Sequence, residues 1–81
     1  MNYREVEQAL RENKPFKHGS SMSAELIGGT SYDQYRVYSY STLIYRCCCD
    51  GSKSWDQWIT PVKYSQTTTK QVNIIRRVKN V

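Results

Sequence analysis

The middle of the chain carries closely spaced apolar and polar side chains in a pattern typical of β-strands. Residues 35–49 hold the densest run of β-branched, aromatic and thiol side chains. Such a run is unusually long for one strand, and the Ser-Tyr-Ser-Thr stretch at its centre is where a turn forms most easily. We therefore predict two strands, at about 35–40 and 42–49. In the second strand, side chains alternate between two faces, with the Arg46 face turned to solvent: Leu43, Tyr45 and Cys47 on one face, and Ile44, Arg46 and Cys48 on the other.

Two more strands are predicted, one on each side of this pair. Three apolar residues alternate with serine and glutamate in the stretch 21–27, which is the pattern of a half-buried strand. The dipeptide Asp50-Gly51 favours a type I′ hairpin, because both central positions of that turn need positive φ. The stretch after this hairpin, about 54–60, is the fourth predicted strand.

Two tryptophans lie in the fourth predicted strand, at Trp55 and Trp58. On a regular strand, side chains three residues apart point to opposite faces. We therefore predict that one tryptophan lies in the core and that the other is exposed or at a bend.

Apolar residues recur at helical spacing near both ends of the chain. Asn2 and Glu5 form a capping-box pattern at the start of a helix over about 3–13. Its apolar stripe is narrow, so we expect this helix to pack only lightly on the sheet. Thr68, with a glutamine three residues later, forms the same pattern ahead of a wider apolar stripe. It predicts a helix over about 68–79 that lies on one face of the sheet.

These elements predict a single α+β domain over residues 1–81. The predicted architecture is a three- to four-stranded antiparallel meander with an N-terminal helix and a C-terminal helix packed on one face of the sheet. A chain of 81 residues leaves room for one core only.

The residues that could support catalysis are few. His18 is the only histidine and lies in a predicted loop, and the carboxylates beyond the first helix are scattered along the sequence. A hydrolase needs a nucleophile with an oriented base, paired carboxylates or a metal constellation. We therefore predict a non-enzymatic protein. A minimal ribonuclease that uses tyrosine, arginine and lysine is the enzymatic alternative that these residue types leave open.

Three adjacent cysteines, Cys47, Cys48 and Cys49, are the only thiols. Neighbours on a strand point to opposite faces and cannot easily converge on one metal ion. We interpret them as structural thiols and predict no metal site and no cofactor. An odd number of cysteines also fits no complete disulfide framework.

No stretch of the chain approaches the roughly 18 apolar residues of a membrane span. Together with the cysteine number, this leads us to expect a cytoplasmic protein that does not contact membranes.

The net charge of +5 is unevenly distributed. Residues 1–62 carry seven basic and seven acidic groups, whereas residues 63–81 carry five basic groups and no acidic one. The whole positive excess therefore lies in the C-terminal segment. Cations near the end of a helix also interact favourably with the helix dipole, so part of this excess has a structural explanation.

Two spaced motifs resemble the signature of a family of small phage and prophage proteins of uncharacterised function. The motifs are Tyr38-Ser39-Tyr40-x-Thr42-x-Ile44 and Tyr64-Ser65-x-Thr67-Thr68-x-Lys70-Gln71. The resemblance covers about residues 16–76. The family has a small residue at the position of Tyr45 and often histidine at Gln71 or Val72, so no role of that histidine is transferred. The resemblance implies a phage accessory protein, in a gene class that includes inhibitors of CRISPR effectors and other host defences.

From these observations we predict a phage-encoded binding protein that inhibits a host defence complex by protein contact. A host or effector protein is the expected partner; a homodimer through edge strands is left open. The alternative is sequence-tolerant binding of nucleic acid by the basic C-terminal helix. Aromatic residues and arginine dominate interface energetics, which gives seven candidate contact residues: Tyr38, Tyr40, Trp58, Tyr64, Arg76, Arg77 and Lys79.

Overall fold

The computed structural model describes residues 1–62 and 65–81, and it has one helix, five strands and a second helix in chain order. The elements are α1 Tyr3–Glu12, β1 Phe16–His18, β2 Met22–Ile27, β3 Asp33–Ser39, β4 Thr42–Asp50, β5 Lys53–Ile59 and α2 Gln66–Lys79. The predicted α+β class is confirmed. In these described residues, no helix combines the length and apolar character needed to cross a membrane.

The five strands form one open antiparallel sheet in the order β1-β2-β3-β4-β5. The predicted meander is therefore confirmed, with one strand added at its edge. In β1, Phe16 pairs with Ala24 and His18 pairs with Met22. A strand of three residues is too short to show an alternating pattern, which is why the sequence indicated only a loop there.

Helix α1 begins as its sequence predicts. The Asn2 side chain accepts a hydrogen bond from the Glu5 amide at 3.0 Å, and the Glu5 carboxylate accepts one from the Asn2 amide at 3.3 Å. The helix ends at Asn13, whose φ of 54° is left-handed. As expected, α1 packs only lightly on the sheet, chiefly at β1, but it is not peripheral, because it packs on α2 and Val6 and Leu10 are fully buried in the core. A narrow apolar stripe is sufficient to bury these two side chains, because residues of α2 and of the sheet cover it.

Helix α2 begins at Gln66, two residues before the predicted start. Ser65 is its N-cap and accepts a hydrogen bond from the Thr68 amide at 3.2 Å. Thr68 is not a cap. Its hydroxyl is buried and lies 2.8 Å from the hydroxyl of Ser39, at the end of β3.

The other residue of the expected capping pattern, Gln71, is also buried. Its Nε2 donates to the carbonyl of Ser21 at 3.1 Å. The hydrogen bonds of Thr68 and Gln71 therefore connect the first turns of α2 to the ends of β3 and β2. Ser39 belongs to the first of the two spaced motifs and Thr68 to the second, so these two motif residues have a structural role as a contact between helix and sheet.

The core lies between the two helices and one face of the sheet. Its buried members come from both helices and from β2, β3 and β4: Val6, Leu10, Met22, Ala24, Tyr35, Val37, Ile44, Tyr45, Cys47, Cys49, Val72, Ile74 and Ile75. The hydroxyls of the two buried tyrosines both have partners. Tyr35 donates to the carbonyl of Lys14 at 2.8 Å, and Tyr45 donates to Oε1 of Gln57 at 2.6 Å.

A β-bulge corrects the alternation predicted for β4. Val37 pairs with Tyr45, but the next residue of β3, Tyr38, pairs with Leu43. Ile44 is thus an extra residue, and both Ile44 and Tyr45 are buried in the core instead of pointing to opposite faces. Arg46 is on the solvent side, as the alternation predicts.

Candidate functional site

One face of the sheet carries no helix in the described structure, and we call it the open face. Strand pairing places three rows of side chains across it. The first row is Ser23, Tyr38 and Leu43; the second is Glu25, Arg36, Arg46 and Trp58; the third is Ile27, Gln34, Cys48 and Trp55. The open face thus interleaves aromatic and basic side chains, and we examined it as the candidate binding surface.

Two arginines lie directly opposite each other at the centre of this face. Arg36 of β3 pairs with Arg46 of β4. Like charges at directly opposite positions destabilise a sheet. Within residues 1–62 and 65–81, the ion pairs are Lys14 with Glu12 and Arg77 with Glu7, so neither of the opposed arginines has a carboxylate partner there. The centre of the uncovered face thus carries two adjacent cations, with the carboxylate of Glu25 in the same row.

Neighbouring side chains orient both guanidinium groups. Arg36 Nη2 donates to Oε1 of Gln34 at 3.0 Å, while its Nε is buried and has no hydrogen-bond acceptor in the described structure. The guanidinium carbon of Arg46 lies 5.9 Å from the ring centroid of Trp58, in a cation–π contact. Each guanidinium group thus has one contact with a neighbouring side chain of the open face.

Glu25 lies opposite Arg36 on the other side, in β2, yet it does not neutralise that arginine through an ion pair. Its Oε1 accepts a hydrogen bond of 2.7 Å from the hydroxyl of Tyr38. This hydrogen bond raises the pKa of the Tyr38 hydroxyl above its usual value. The carboxylate is therefore hydrogen-bonded to Tyr38, and its negative charge lies beside Arg36 in the same row.

A second bulge places both tryptophans on the open face, which corrects the predicted split between the two faces. Trp58 pairs with Arg46 and Trp55 pairs with Cys48, with a register shift between the two pairs. Asp56, with a φ of 52°, supplies the irregular residue between them. Because β5 has one extra residue at the bulge, the two tryptophans point to the same face although they are three residues apart. Neither tryptophan therefore lies in the core.

The third row extends into an exposed apolar cluster at one end of the sheet. Trp55 is 42% exposed, and Tyr32, which is 46% exposed, packs against it edge-on with ring centroids 5.8 Å apart. Ile27 is exposed in the same row. The open face therefore changes from basic at its centre to apolar at this end.

The structure does not bring the predicted contact residues together on one surface. Tyr38 and Trp58 lie on the open face. Tyr40 is exposed in the turn between β3 and β4, where its φ of 56° is left-handed. Arg76, Arg77 and Lys79 lie on α2, on the other side of the sheet, and Tyr64 lies outside the described residues.

Two cations of α2, Arg77 and Lys79, make contacts within the fold. Arg77 forms an ion pair with Glu7 of α1. Lys79 is half-buried at the end of the helix, where its Nζ donates to the side chains of Asn13 and Ser54, the latter at 3.2 Å. Burial lowers the pKa of the Lys79 amine. The positive excess of the C-terminal segment thus contributes partly to tertiary packing.

His18 and the cysteines form no group that could hold a metal ion in the described ranges. His18 stacks on Tyr3 with ring centroids 4.9 Å apart, in β1 and not in a solvated loop. No group of three metal-binding side chains converges within residues 1–62 and 65–81.

Comparison of the chain with family models, with curated proteins and with solved structures finds no match in any of the three.

The central arginines are the site residues that sequence reasoning missed. Arg46 was assigned correctly to the solvent face, and Arg36 alternates with Val37 in a clear period of two. The local sequence pattern does not reveal the register between β3 and β4, and it is this register that places Arg36 opposite Arg46. The bulge that brings Trp58 beside Arg46 also has no sequence signal of its own.

The three thiols provide a direct test of which face of β4 is covered. Cys48 is partly accessible on the open face, whereas Cys47 and Cys49 are buried. Burial also raises the pKa of the Cys49 thiol, which lowers its thiolate fraction. We expect one thiol to react quickly with a chromogenic disulfide reagent in the folded protein, and the other two only after unfolding. Cys48→Ser should remove the fast phase; simultaneous reaction of all three thiols would contradict this arrangement.

Proposed function

We propose that the protein is a non-enzymatic binding protein that holds single-stranded nucleic acid on its open face. The observation that carries this proposal is the central row, in which Arg36 and Arg46 lie side by side next to Trp58. Positive charge along the backbone and aromatic rings that stack on bases are the two ingredients of sequence-tolerant binding to single strands.

The charge of the site favours a phosphate backbone as its ligand. Arg36 and Arg46 are held at adjacent positions without a carboxylate partner in the described residues. Guanidinium groups match phosphate oxygens in geometry and form charge-assisted hydrogen bonds with them. A bound phosphate would relieve the repulsion between the two arginines, so the repulsion present in the unbound protein favours ligand binding.

The aromatic side chains favour an unpaired strand over a duplex. Tyr38 and Trp58 flank the arginines on the open face, and Trp55 lies in the next row. Stacking on aromatic side chains requires bases that are not already paired within a helix. A sheet surface of this kind presents its rings side by side, so that successive bases can occupy them.

The C-terminal helix supports this function less well than the open face does. Lys70 Nζ lies 4.9 Å from the ring centroid of Tyr3, Arg77 is paired with Glu7, and Lys79 is partly buried. These contacts engage three of the four cations of α2 within the fold, and Arg76 is exposed. The helix therefore presents a weaker continuous phosphate-binding surface than its sequence predicts.

A protein partner is the second candidate, and the exposed apolar cluster supports it. Tyr32 and Trp55 pack together at the end of the open face, Ile27 is exposed at the other end of the same row, and exposed aromatic residues are typical of contacts between proteins. In this alternative the protein is a phage-encoded inhibitor of a host defence complex, as the resemblance of its motifs suggests. The apolar cluster, and not the arginine pair, would then carry most of the affinity.

Binding to a fluorescent oligonucleotide tests the proposed function. We would measure anisotropy with single-stranded DNA and RNA of about 12 nucleotides, and with a duplex of equal length, over a salt series. The expected result is a preference for single strands that weakens with salt. The double variant R36Q/R46Q should lower the affinity at least about tenfold and reduce the slope of log K against log salt by about 1.4, because two phosphate contacts are lost.

A matched control separates this site from overall charge. Arg11 and Arg76 are exposed and lie away from the open face, so R11Q/R76Q removes the same net charge. This control should keep most of the affinity. An equal loss in both double variants would mean that binding follows net charge alone. Absence of nucleic-acid binding, together with binding of a purified protein partner that depends on Trp55, would favour the second candidate.

A further inference from the structure

A groove of about 630 Å³ lies between α1 and α2, on the helix side of the sheet. Every described residue that lines it belongs to one of the two helices or is Ser65, the N-cap of α2. Its volume falls within the range of about 300 to 1,000 Å³ that is typical of sites for small molecules. The groove therefore has the size of a ligand site, and none of its described lining residues is on the open face.

Side chains of both helices give the groove two different ends. Lys70, Ile74 and Arg77 recur at helical spacing, so they share one face of α2. At one end, Lys70 Nζ lies 4.9 Å from the ring centroid of Tyr3; at the other, Arg77 forms an ion pair with Glu7. A rise of about 1.5 Å per residue separates the two ends by about 10 Å along the helix axis, with Ile74 between them.

The charges of the groove favour a ligand with a single negative charge. Glu7 is the only acidic side chain among the described lining residues, and it is already paired with Arg77. Lys70 has no carboxylate partner within residues 1–62 and 65–81. Its ammonium group has three hydrogen-bond donors, and the Tyr3 ring lies on one side of it, so the remaining donors can reach a ligand. Lys70 and Arg77 against Glu7 leave a net charge of +1, located at the Lys70 end.

Apolar side chains adjoin this cation within the groove. Ile74 lies at the bottom, where its side chain is 6% exposed, and the ring of Tyr3 packs against the core beside it. We propose that the groove binds a small amphipathic carboxylate, with its charged end at Lys70 and its apolar body along Ile74. This site goes beyond the proposed nucleic-acid surface and is separate from it, so either can exist without the other.

A carboxylate suits this groove better than a phosphate does. A phosphate monoester carries about −1.5 to −2 charges at neutral pH, which exceeds the single unpaired cation. The carboxylate of Glu7 in the same groove would also repel a dianion more strongly than a monoanion. A monoanionic carboxylate leaves the groove neutral, and its apolar body gains free energy when it leaves water.

Titration of the isotope-labelled protein with octanoate, followed by NMR, tests the proposal, and octanol is the neutral counterpart of equal chain length. We expect octanoate to shift the amide signals of Lys70 and Ile74. It should bind about fivefold more tightly than octanol, which is the discrimination that one partly solvated ion pair provides. Octyl phosphate should bind no more tightly than octanoate. Tighter binding of octyl phosphate would overturn the assignment to a carboxylate, and absence of shifts in the groove with every ligand would overturn the site.

Variants separate the groove from the net charge of the protein. Lys70→Gln should remove the preference for octanoate over octanol, whereas Lys53→Gln, the same change at an exposed position of β5, should retain it. Asn73→Trp, at an exposed position that lines the groove, should fill it and weaken the binding of both ligands. The double variant R36Q/R46Q, on the open face, should leave octanoate binding unchanged. A preference that survives Lys70→Gln, or that Lys53→Gln removes equally, would overturn the inference.

Discussion

Raising the pH from about 10 to about 12 is expected to lower the free energy of unfolding by about 5 kcal/mol through two tyrosines. Tyr35 and Tyr45 are fully buried in the core. Their hydroxyls donate to the Lys14 carbonyl and to Gln57. Burial raises the pKa of both hydroxyls well above the usual value of 10.0. Ionisation therefore requires unfolding.

The sign of this effect follows from the protons bound in each state. Above about pH 10, the unfolded chain loses the two tyrosine protons while the folded protein keeps them. The folded state then binds more protons, so stability decreases as pH rises, by about 1.4 kcal/mol per pH unit for each group. The contribution is fully present below pH 10 and is lost above it. The Cys49 thiol, whose pKa burial also raises, adds a smaller effect of the same sign.

Lys79 acts in the opposite direction and at lower pH. Burial lowers the pKa of its amine below the usual value of 10.5. Between the lowered pKa and about 10.5, the unfolded chain keeps a proton that the folded protein loses, so stability rises with pH. Below about pH 10 the effects of Lys79 and Cys49 have opposite signs and offset each other in part, and the free energy of unfolding should then fall steeply as the tyrosine effect begins.

Urea unfolding at a series of pH values measures this curve. Tryptophan fluorescence reports unfolding, and absorbance of the ionised phenol reports the tyrosines, so the signal of the buried pair should appear only with unfolding. Tyr45→Phe should halve the alkaline slope, since it removes one of the two groups, although it also loses a hydrogen bond to Gln57. An unchanged slope in Y45F, or ionisation of the buried pair in folded protein, would contradict the prediction.

The sequence predicts the elements of the fold because each has a local cause. The capping box of Asn2 and Glu5 is formed as predicted, and the alternation around β2 and β3 gives their positions within a residue or two. Strand β1 was not predicted, because three residues are too few to show the alternation of apolar and polar side chains. The start of α2 was misplaced because Thr68 has a tertiary partner, Ser39, that no local pattern reveals.

The candidate site was predictable only in part, because it depends on register and on bulges. The alternation of side chains along β4 correctly predicted that Arg46 lies on the solvent face. It could not show that Arg36 lies opposite, since pairing between strands is a property of the assembled sheet. The predicted placement of the tryptophans on opposite faces is wrong because of the irregular residue Asp56. The bulge at Asp56 puts both on the open face, where Trp58 contacts Arg46. The bulges therefore contribute directly to the composition of the open face.

Leu10→Ala is expected to destabilise the protein by about 2 to 5 kcal/mol, although its helix has a narrow apolar stripe. Leu10 is fully buried between the sheet and α2, in the same core cluster as Ile75. The substitution leaves a cavity, and alanine is the better helix former, so the loss would come from packing and not from helix propensity.

An exposed position on the same helix provides the control for this substitution. Arg4→Ala changes a solvent-exposed side chain of α1 and should shift the free energy of unfolding by less than about 0.5 kcal/mol. Urea titration of both variants measures the difference. A small effect for Leu10→Ala would mean that α1 is peripheral after all, as its sequence pattern suggests. A large effect would show that α1 closes the core on the helix side of the sheet.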